Sequence, residues 1–237
     1  MSLLVLVHGG GGSGWDWHRV APELTAAGHD VLAPDLPVED PAAGLAEHAD
    51  AVVDAVRAAG HGDAPVHVVC HSLGAYTGPL VCDRLAVASL VLLAPMVPAP
   101  GESPADWWAA TGQGDAQREH AEAHGLSPDP GPDELFLHDV PPDLAAEAMA
   151  RSRDPQALPF GQPFPLERWP DVPTTVLACR DDRIFPLPFQ RRLARERLGV
   201  EVEVVPGGHY AALSRPVEVA AAVAVAAGAA ARRSGTG

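Results

Sequence analysis

The stretch Val68-Val69-Cys70-His71-Ser72-Leu73-Gly74-Ala75 decides the fold of this chain. An apolar run rich in β-branched residues ends abruptly at Ser72, and a segment of small residues that suits a helix follows at once. This pattern predicts a strand–turn–helix corner with the serine at its tip, where the strained backbone needs small neighbours on both sides. Gly74 occupies the second small position but Cys70 occupies the first, so the motif is C-x-S-x-G. The corner alone also fits a plain helix N-cap serine.

Length, composition and charge limit the classes of protein that this sequence can encode. The chain has 237 residues, of which 47% are hydrophobic and 20% charged, which suits one large α/β domain with a well-buried core. Its formal net charge of −15 would repel nucleic-acid backbones and anionic lipid, so we expect neither nucleic acid nor membrane as a partner. All 16 basic residues are arginines, which excludes a mechanism that needs a lysine Schiff base.

Cysteine and histidine spacing gives no sign of a disulfide framework or a metal site. The three cysteines are scattered along the chain, and His120 and His124 lie on a polar, alanine-rich segment with no third ligand nearby. The first apolar run, residues 3–7, has the length of a strand and no basic region before it. We therefore expect no signal peptide, metal or cofactor and a cytoplasmic location, and we leave a homodimer open.

Strand and helix patterns alternate along most of the chain. We predict strands at 3–7, 30–33, 65–70, 89–93, 174–178 and 200–205, and helices at 15–27, 44–59, 72–85, 187–198 and 216–231. Residues 97–170 interrupt the alternation and are rich in Pro, Gly and acidic residues, with helices expected at 104–111, 116–125 and 142–153. The prediction is a three-layer α/β/α sandwich with a mostly parallel sheet of about six strands. It forms one domain, 1–237, with a helical cap inserted at 97–170.

In a parallel sheet the chemistry lies at the carboxyl ends of the strands. Three residues there, Ser72, Asp182 and His209, have the types and chain order of a nucleophile, an acid and a base. A serine hydroxyl is a poor nucleophile at neutral pH, so an imidazole must remove its proton and a carboxylate must orient the imidazole. The spacing alone leaves Asp181 as a competitor of Asp182.

Four segments together resemble the α/β-hydrolase superfamily: His8-Gly9-Gly10…Trp15-Asp16-Trp17, Cys70-His71-Ser72-Leu73-Gly74, Asp182-Arg183-Ile184-Phe185-Pro186 and Pro206-Gly207-Gly208-His209. The acid of that family's loop lies four residues before a proline, which favours Asp182. The first segment is similar to the branch that contains plant salicylate-binding methyl esterases, plant hydroxynitrile lyases and bacterial relatives.

The resemblance implies roles for further residues. The backbone N–H groups of Gly10 and Leu73 would form the oxyanion hole. Gly10 stands where the lyases of this branch have threonine, and Tyr210 where they have lysine, which disfavours cyanohydrin cleavage. We reject a phosphate-binding interpretation of the glycine-rich loop, because the chain has no lysine for a P-loop and the loop belongs to the first of the four segments that resemble the hydrolases.

The inserted segment carries aromatic residues that would line an acyl or aromatic pocket, although packing of a cap against the core explains them equally well. They are Trp107, Trp108, Phe136 and Phe160, with Leu137 and Phe164 nearby. We predict a hydrolase that cleaves a small ester through an acyl-enzyme and uses water as its second substrate. The alternatives are C–C bond or amide hydrolysis or a lyase reaction on the same triad, or a ligand-binding protein without catalysis.

Overall fold

The computed structural model describes residues 2–61 and 65–234, and a parallel sheet organises them. The strands are β1 (Leu3–Val7), β2 (Asp30–Leu32), β3 (Val66–His71), β4 (Val87–Leu93), β5 (Thr174–Cys179) and β6 (Glu203–Val205). They lie in the order β2-β1-β3-β4-β5-β6, and every neighbouring pair is parallel. The predicted sheet of about six parallel strands is confirmed.

Helices cover both faces of this sheet. They are α1 (Val20–Ala26), α2 (Leu45–Ala58), α3 (Pro104–Thr111), α4 (Gln113–His124), α5 (Pro132–Phe136), α6 (Pro142–Arg151), α7 (Ala157–Gly161), α8 (Leu187–Leu198), α9 (Ala211–Ser214) and α10 (Pro216–Ser234). Because successive side chains of a strand point to opposite faces, Val5 and Val68 pack towards α2 and α8. Leu4 and Val69 pack towards α1 and α10. Within the described ranges, no helix has both the length and the apolar character needed to cross a membrane.

In the structure, 3-10 turns replace all or part of two predicted helices. In place of one helix at 72–85, two short 3-10 segments cover Ser72–Tyr76 and Gly78–Val81. Pro79 has no N–H to donate, and its ring would clash with the carbonyl four residues earlier in an α-helix, so the turns stay tight and short. The predicted helix at 15–27 begins as a 3-10 turn at Gly14–Trp17, and α1 starts only at Val20.

Residues 97–170, which we call the cap segment, join β4 to β5 and contain helices α3 to α7. Helix α3 has the predicted bounds, α4 begins at Gln113, and α5 and α7 were not predicted. Each of the last two has only five residues, which is too short for a periodic pattern. The cap segment reaches the carboxyl ends of the strands, where Arg153 N–H donates to Gly11 O over 2.8 Å.

Candidate active site

The serine at the end of β3 has the strained backbone of a nucleophile corner. Ser72 has φ of 50°, in the left-handed region that residues other than glycine rarely occupy. A Cβ at Gly74 would lie 2.7 Å from His8 O and 3.1 Å from Val7 O, so only glycine allows this close approach of the segment after Ser72 to the end of β1. The structure therefore holds Ser72 at the tip of a sharp turn, as the motif predicts.

The cysteine that replaces the first glycine of the motif points away from the corner. Cys70 is fully buried in the core between the sheet and α2. Its Sγ occupies the space that a side chain at Gly78 would need, since a Cβ built there would overlap the sulfur. Burial raises the pKa of the Cys70 thiol, so it stays protonated and acts as a small packing group.

The predicted acid, Asp182, and the predicted base, His209, form a buried pair. His209 Nδ1 donates to Asp182 Oδ2 over 2.8 Å, and the two residues are 1% and 0% exposed. Asp182 Oδ1 accepts the backbone N–H groups of Ile184 and Phe185, both at 2.9 Å, so the loop after β5 fixes the carboxylate. This hydrogen bond assigns the proton to Nδ1 and leaves Nε2 as the nitrogen available for proton transfer. Asp181 is instead half exposed; it pairs with Arg180, and its Oδ2 accepts the Gly207 N–H at 3.1 Å.

His71, the residue before Ser72, forms a hydrogen bond to the backbone of His209, the predicted base. Its Nε2 donates to the carbonyl oxygen of His209 over 2.9 Å, and the two rings lie 4.8 Å apart. Burial, with the neighbouring His209 second, lowers the pKa of His71 well below its ordinary value, so the ring stays neutral. No local sequence pattern indicates this contact, because the His209 carbonyl lies 138 positions further along the chain.

The cap segment also fixes the segment Gly207-Gly208-His209, which we call the base loop. Asp139 Oδ2 accepts hydrogen bonds from Gly208 N–H at 2.9 Å and from the Ser214 hydroxyl at 2.7 Å. His138 Nε2 donates to Asp181 O over 2.9 Å. Two adjacent cap residues thus contact the loops that carry the acid and the base. Sequence reasoning missed both, since no local pattern links a cap residue to loops about 40 or 70 positions away.

The glycine-rich loop after β1 is held by buried hydrogen bonds. His8 Nδ1 donates to Gly9 O at 2.8 Å, while Nε2 accepts from Leu36 N–H at 3.0 Å. Burial lowers the pKa of His8 to about 4, and a neutral ring is what this donor–acceptor pattern requires. Among the residues that the structure describes, the N–H groups of Gly10 and Leu73 have no hydrogen-bond acceptor. These two residues touch, because a Cβ at Gly10 would lie 3.1 Å from Leu73 Cδ2.

A cavity of about 180 Å³ lies above Ser72. Three of the predicted pocket residues line it: Trp108, Phe136 and Phe160. Both residues of the predicted oxyanion hole line it as well. The lining residues that the sequence did not predict are Met96, Pro155, Ile184 and Phe185. Trp107 lies elsewhere: it is fully buried against Phe185 and Phe189, and its Nε1 donates to Val97 O over 2.9 Å. Adjacent residues of a helix point about 100° apart, so only one of the two tryptophans reaches the cavity.

Ser72 Oγ makes no hydrogen bond to His209 within the described part of the chain. Ser72 lines the cavity, and two other lining residues, Phe136 and Phe185, have ring centres 5.4 and 5.0 Å from the ring centre of His209. Such hydrogen bonds are often long in enzymes without substrate and shorten in the substrate complex. The arrangement is an Asp–His pair beside a strained serine, with two unpaired N–H groups near it.

Comparison with known proteins places this arrangement in a family. The model of the alpha/beta hydrolase family matches residues 4–222. The chain belongs to the alpha/beta hydrolase family. It is 29% identical over 93% of its length to a pyrethroid hydrolase of Sphingobium wenxiniae, of which the match covers 86%. It is 26% identical over 92% of its length to salicylic acid-binding protein 2 of Nicotiana tabacum, with 94% of that protein covered.

Solved alpha/beta hydrolase structures share the fold. The crystal structure of polyneuridine aldehyde esterase superposes with a TM-score of 0.73 at 20% identity, covering 95% of this chain and 98% of that one. The family model and the sequence relatives confirm the branch predicted from the sequence, and the chain is a hydrolase.

Proposed function

We propose that this alpha/beta hydrolase cleaves small carboxylic esters with Ser72 as the nucleophile, His209 as the base and Asp182 as the residue that orients the base. The observation that carries the proposal is the buried 2.8 Å hydrogen bond from His209 Nδ1 to Asp182 Oδ2, formed beside a serine with φ of 50°. The relatives named as hydrolases and esterases support the same reaction class.

In the first half of the reaction, Ser72 Oγ attacks the ester carbonyl carbon as its proton passes to His209 Nε2. The carbonyl oxygen becomes an oxyanion, and the N–H groups of Gly10 and Leu73 are the donors that would receive it. Each donor of this kind is worth about 3 kcal/mol of transition-state stabilisation. The Asp182 carboxylate stabilises the imidazolium that forms, and its two backbone hydrogen bonds hold it in place. The imidazolium then gives its proton to the leaving alcohol.

In the second half, a water molecule gives a proton to His209 Nε2 and attacks the acyl carbon bound to Ser72. The tetrahedral intermediate collapses, Ser72 Oγ leaves, and it recovers a proton from the imidazolium. The free acid departs and the site returns to its starting state. None of these steps needs a group other than the residues named, the ester and water.

The size and lining of the cavity above Ser72 support a small, largely apolar ester. The cavity has a volume of about 180 Å³, and most of its lining side chains are aromatic or aliphatic. We further propose that residues 97–170 act as a cap on one domain spanning residues 1–237, because Trp108, Phe136 and Phe160 come from this segment.

Hydrolysis of p-nitrophenyl esters from acetate to octanoate tests this function. We expect turnover of the short esters, and a loss of about 10⁴-fold in kcat for Asp182→Asn, the size seen when the orienting acid of other serine hydrolases is changed. Ser72→Ala should be at least as inactive.

Matched controls keep the comparison specific. Asp181→Asn changes the neighbouring half-exposed carboxylate, and Ser127→Ala changes an exposed loop serine. Both should retain activity within about an order of magnitude, because neither side chain contacts the reacting atoms and asparagine at position 181 keeps an oxygen that can accept the Gly207 N–H. Failure to hydrolyse any ester in the series, or an Asp181→Asn loss as large as that of Asp182→Asn, would contradict the assignment.

A further inference from the structure

A second cavity of about 290 Å³ adjoins the one above Ser72. The two share Gly10 and Phe136 in their lining, so they meet at the glycine-rich loop. The second cavity extends between that loop and helices α5 and α6. The first cavity is lined mainly by apolar side chains, whereas the second also contacts Asp16, Arg151 and Tyr210. An ester seated on Ser72 therefore has a polar space into which part of it can extend.

The carboxyl group of Asp16 is the unusual feature of this cavity. The residue is only 8% exposed, and its Oδ2 has no hydrogen-bond partner among the residues that the structure describes. A buried acceptor without a donor is unfavourable, and natural proteins keep few of them. Asp16 fits because Gly12 has no side chain; a Cβ built at Gly12 would overlap Oδ2. The glycine-rich loop is thus shaped around a carboxyl group of which one oxygen, Oδ2, receives no hydrogen bond from the described residues.

The phenol of Tyr210 supplies the second polar group. Tyr210 follows the base loop, is half-buried and lines the same cavity. Burial, with the Asp16 charge second, raises the pKa of Tyr210, so its hydroxyl keeps its proton and can donate. An acceptor and a donor therefore lie on the wall of one cavity, next to the proposed catalytic base.

The charges around the cavity narrow the chemistry of the group that fits. A carboxylate on the ligand would lie near the Asp16 carboxyl, and two carboxylates repel each other. An ammonium group would meet Arg151, whose guanidinium lies 5.0 Å from the Trp15 ring centre while its Nε donates to Glu147. A hydroxyl group is neutral and both donates and accepts, which matches a carboxylate beside a phenol.

We infer that this cavity is a subsite for a hydroxyl group carried by the ester, with the Asp16 carboxyl as its acceptor and the Tyr210 phenol as its donor. The inference rests on the proposed function, because the ester must be bound at Ser72 for the hydroxyl to enter. The hydroxyl belongs to either the acyl or the alcohol part of the ester, and the experiment separates the two.

Matched ester pairs test the subsite. The acyl pair is methyl 6-hydroxyhexanoate and methyl hexanoate, and the alcohol pair is 2,3-dihydroxypropyl butanoate and propyl butanoate. Acid release measured by pH-stat titration at pH 8 gives kcat/KM for each. We expect at least a tenfold preference for the hydroxylated member of one pair, the size of one hydrogen bond to a charged group. The pair that shows the preference identifies the part of the ester that carries the hydroxyl.

Variants assign the preference to the two residues. Asp16→Leu and Tyr210→Phe should each bring the ratio within a pair close to one, and Asp16→Asn, which keeps an acceptor, should retain part of the preference. Tyr210→Phe removes a single oxygen, so it provides the test even where Asp16→Leu does not fold.

Three outcomes would overturn the inference. Ratios near one in both pairs, with the plain esters still hydrolysed, would refute the subsite and leave the proposed function standing. A preference that survives both Asp16→Leu and Tyr210→Phe would refute the assignment of these residues. No turnover of any of the four esters would refute the proposed function together with the subsite.

Discussion

Replacing the buried Asp16 with asparagine is expected to change how the stability of the protein depends on pH. Burial, partly opposed by the backbone of Ser13, raises the pKa of the Asp16 carboxyl from 3.8 to about 7. The unfolded chain therefore releases this proton near pH 3.8, whereas the folded protein keeps it up to about pH 7. Between these values the free energy of unfolding falls by about 1.4 kcal/mol per pH unit, and above them it is constant.

The full effect of this carboxyl is about 4 kcal/mol, which is three pKa units at about 1.4 kcal/mol each. The isoelectric point of about 5.0 sets the lower limit of a practical experiment, because solubility is lowest there. From pH 5.5 to pH 8.5 the measurable part is about 2 kcal/mol, lost almost entirely below pH 7.5. The charged or titratable groups that face Asp16 are Asp35, Tyr210 and Arg151, and the Asn variant retains all of them.

Urea unfolding followed by tryptophan fluorescence at four pH values between 5.5 and 8.5 measures this effect. The quantity of interest is the unfolding free energy of the wild type minus that of Asp16→Asn. It should fall by about 2 kcal/mol with rising pH and then level off. The buried His8, whose pKa is lowered to about 4, gives a slope of the opposite sign, but it is present in both proteins and cancels. Asp129→Asn, at an exposed position, controls for the loss of one charge. A difference that stays flat, or rises with pH, would refute the reasoning.

Three further sets of substitutions have expected outcomes. Gly78→Ala should lower the free energy of unfolding by about 1–3 kcal/mol, because its methyl group overlaps the Cys70 sulfur. Adding Cys70→Gly should recover most of this loss in thermal unfolding. No recovery would disprove the contact between positions 70 and 78. Trp107→Ala should lower the free energy of unfolding, measured in urea, by about 3–5 kcal/mol because Trp107 is fully buried. Trp108→Ala should mainly change the preference for acyl length because Trp108 lines the cavity. The reverse pattern would contradict the placement of the two tryptophans. Asp139→Ala should lower kcat about 10²-fold with KM nearly constant, since the base loop loses its acceptor; an unchanged kcat would rule out a positioning role.

The sequence predicts those parts of the fold that rest on local patterns. Uninterrupted apolar runs such as residues 3–7 mark strands buried on both faces, because no face of a central parallel strand meets water. The corner at Ser72 is equally local, since a strand, one serine and Gly74 suffice to indicate it. The prolines also give local signals. Pro79 lies inside the helix predicted at 72–85 and is a local reason for an α-helix to be interrupted there, although the pattern could not show that both parts become 3-10 turns.

Other features depend on contacts between distant residues, and no local pattern predicts those. The choice between Trp107 and Trp108 follows from how α3 sits on α8, which periodicity within α3 does not determine. His71 and Asp139 hold the base loop through partners far away in the chain. In the sequence, Asp16 is one residue of a tryptophan-rich motif. Only the fold shows that it lies beside Gly12 and that its Oδ2 has no hydrogen-bond partner among the described residues.

The central claim is that Ser72 is activated by His209, and labelling with a fluorophosphonate tests it most directly. Such a reagent phosphonylates an activated serine hydroxyl and leaves ordinary serines unmodified. Intact mass and peptide mapping of the folded protein should show one adduct, on Ser72, and His209→Ala should abolish it while the protein stays folded by circular dichroism. An unlabelled Ser72, or labelling that persists in His209→Ala, would contradict the account.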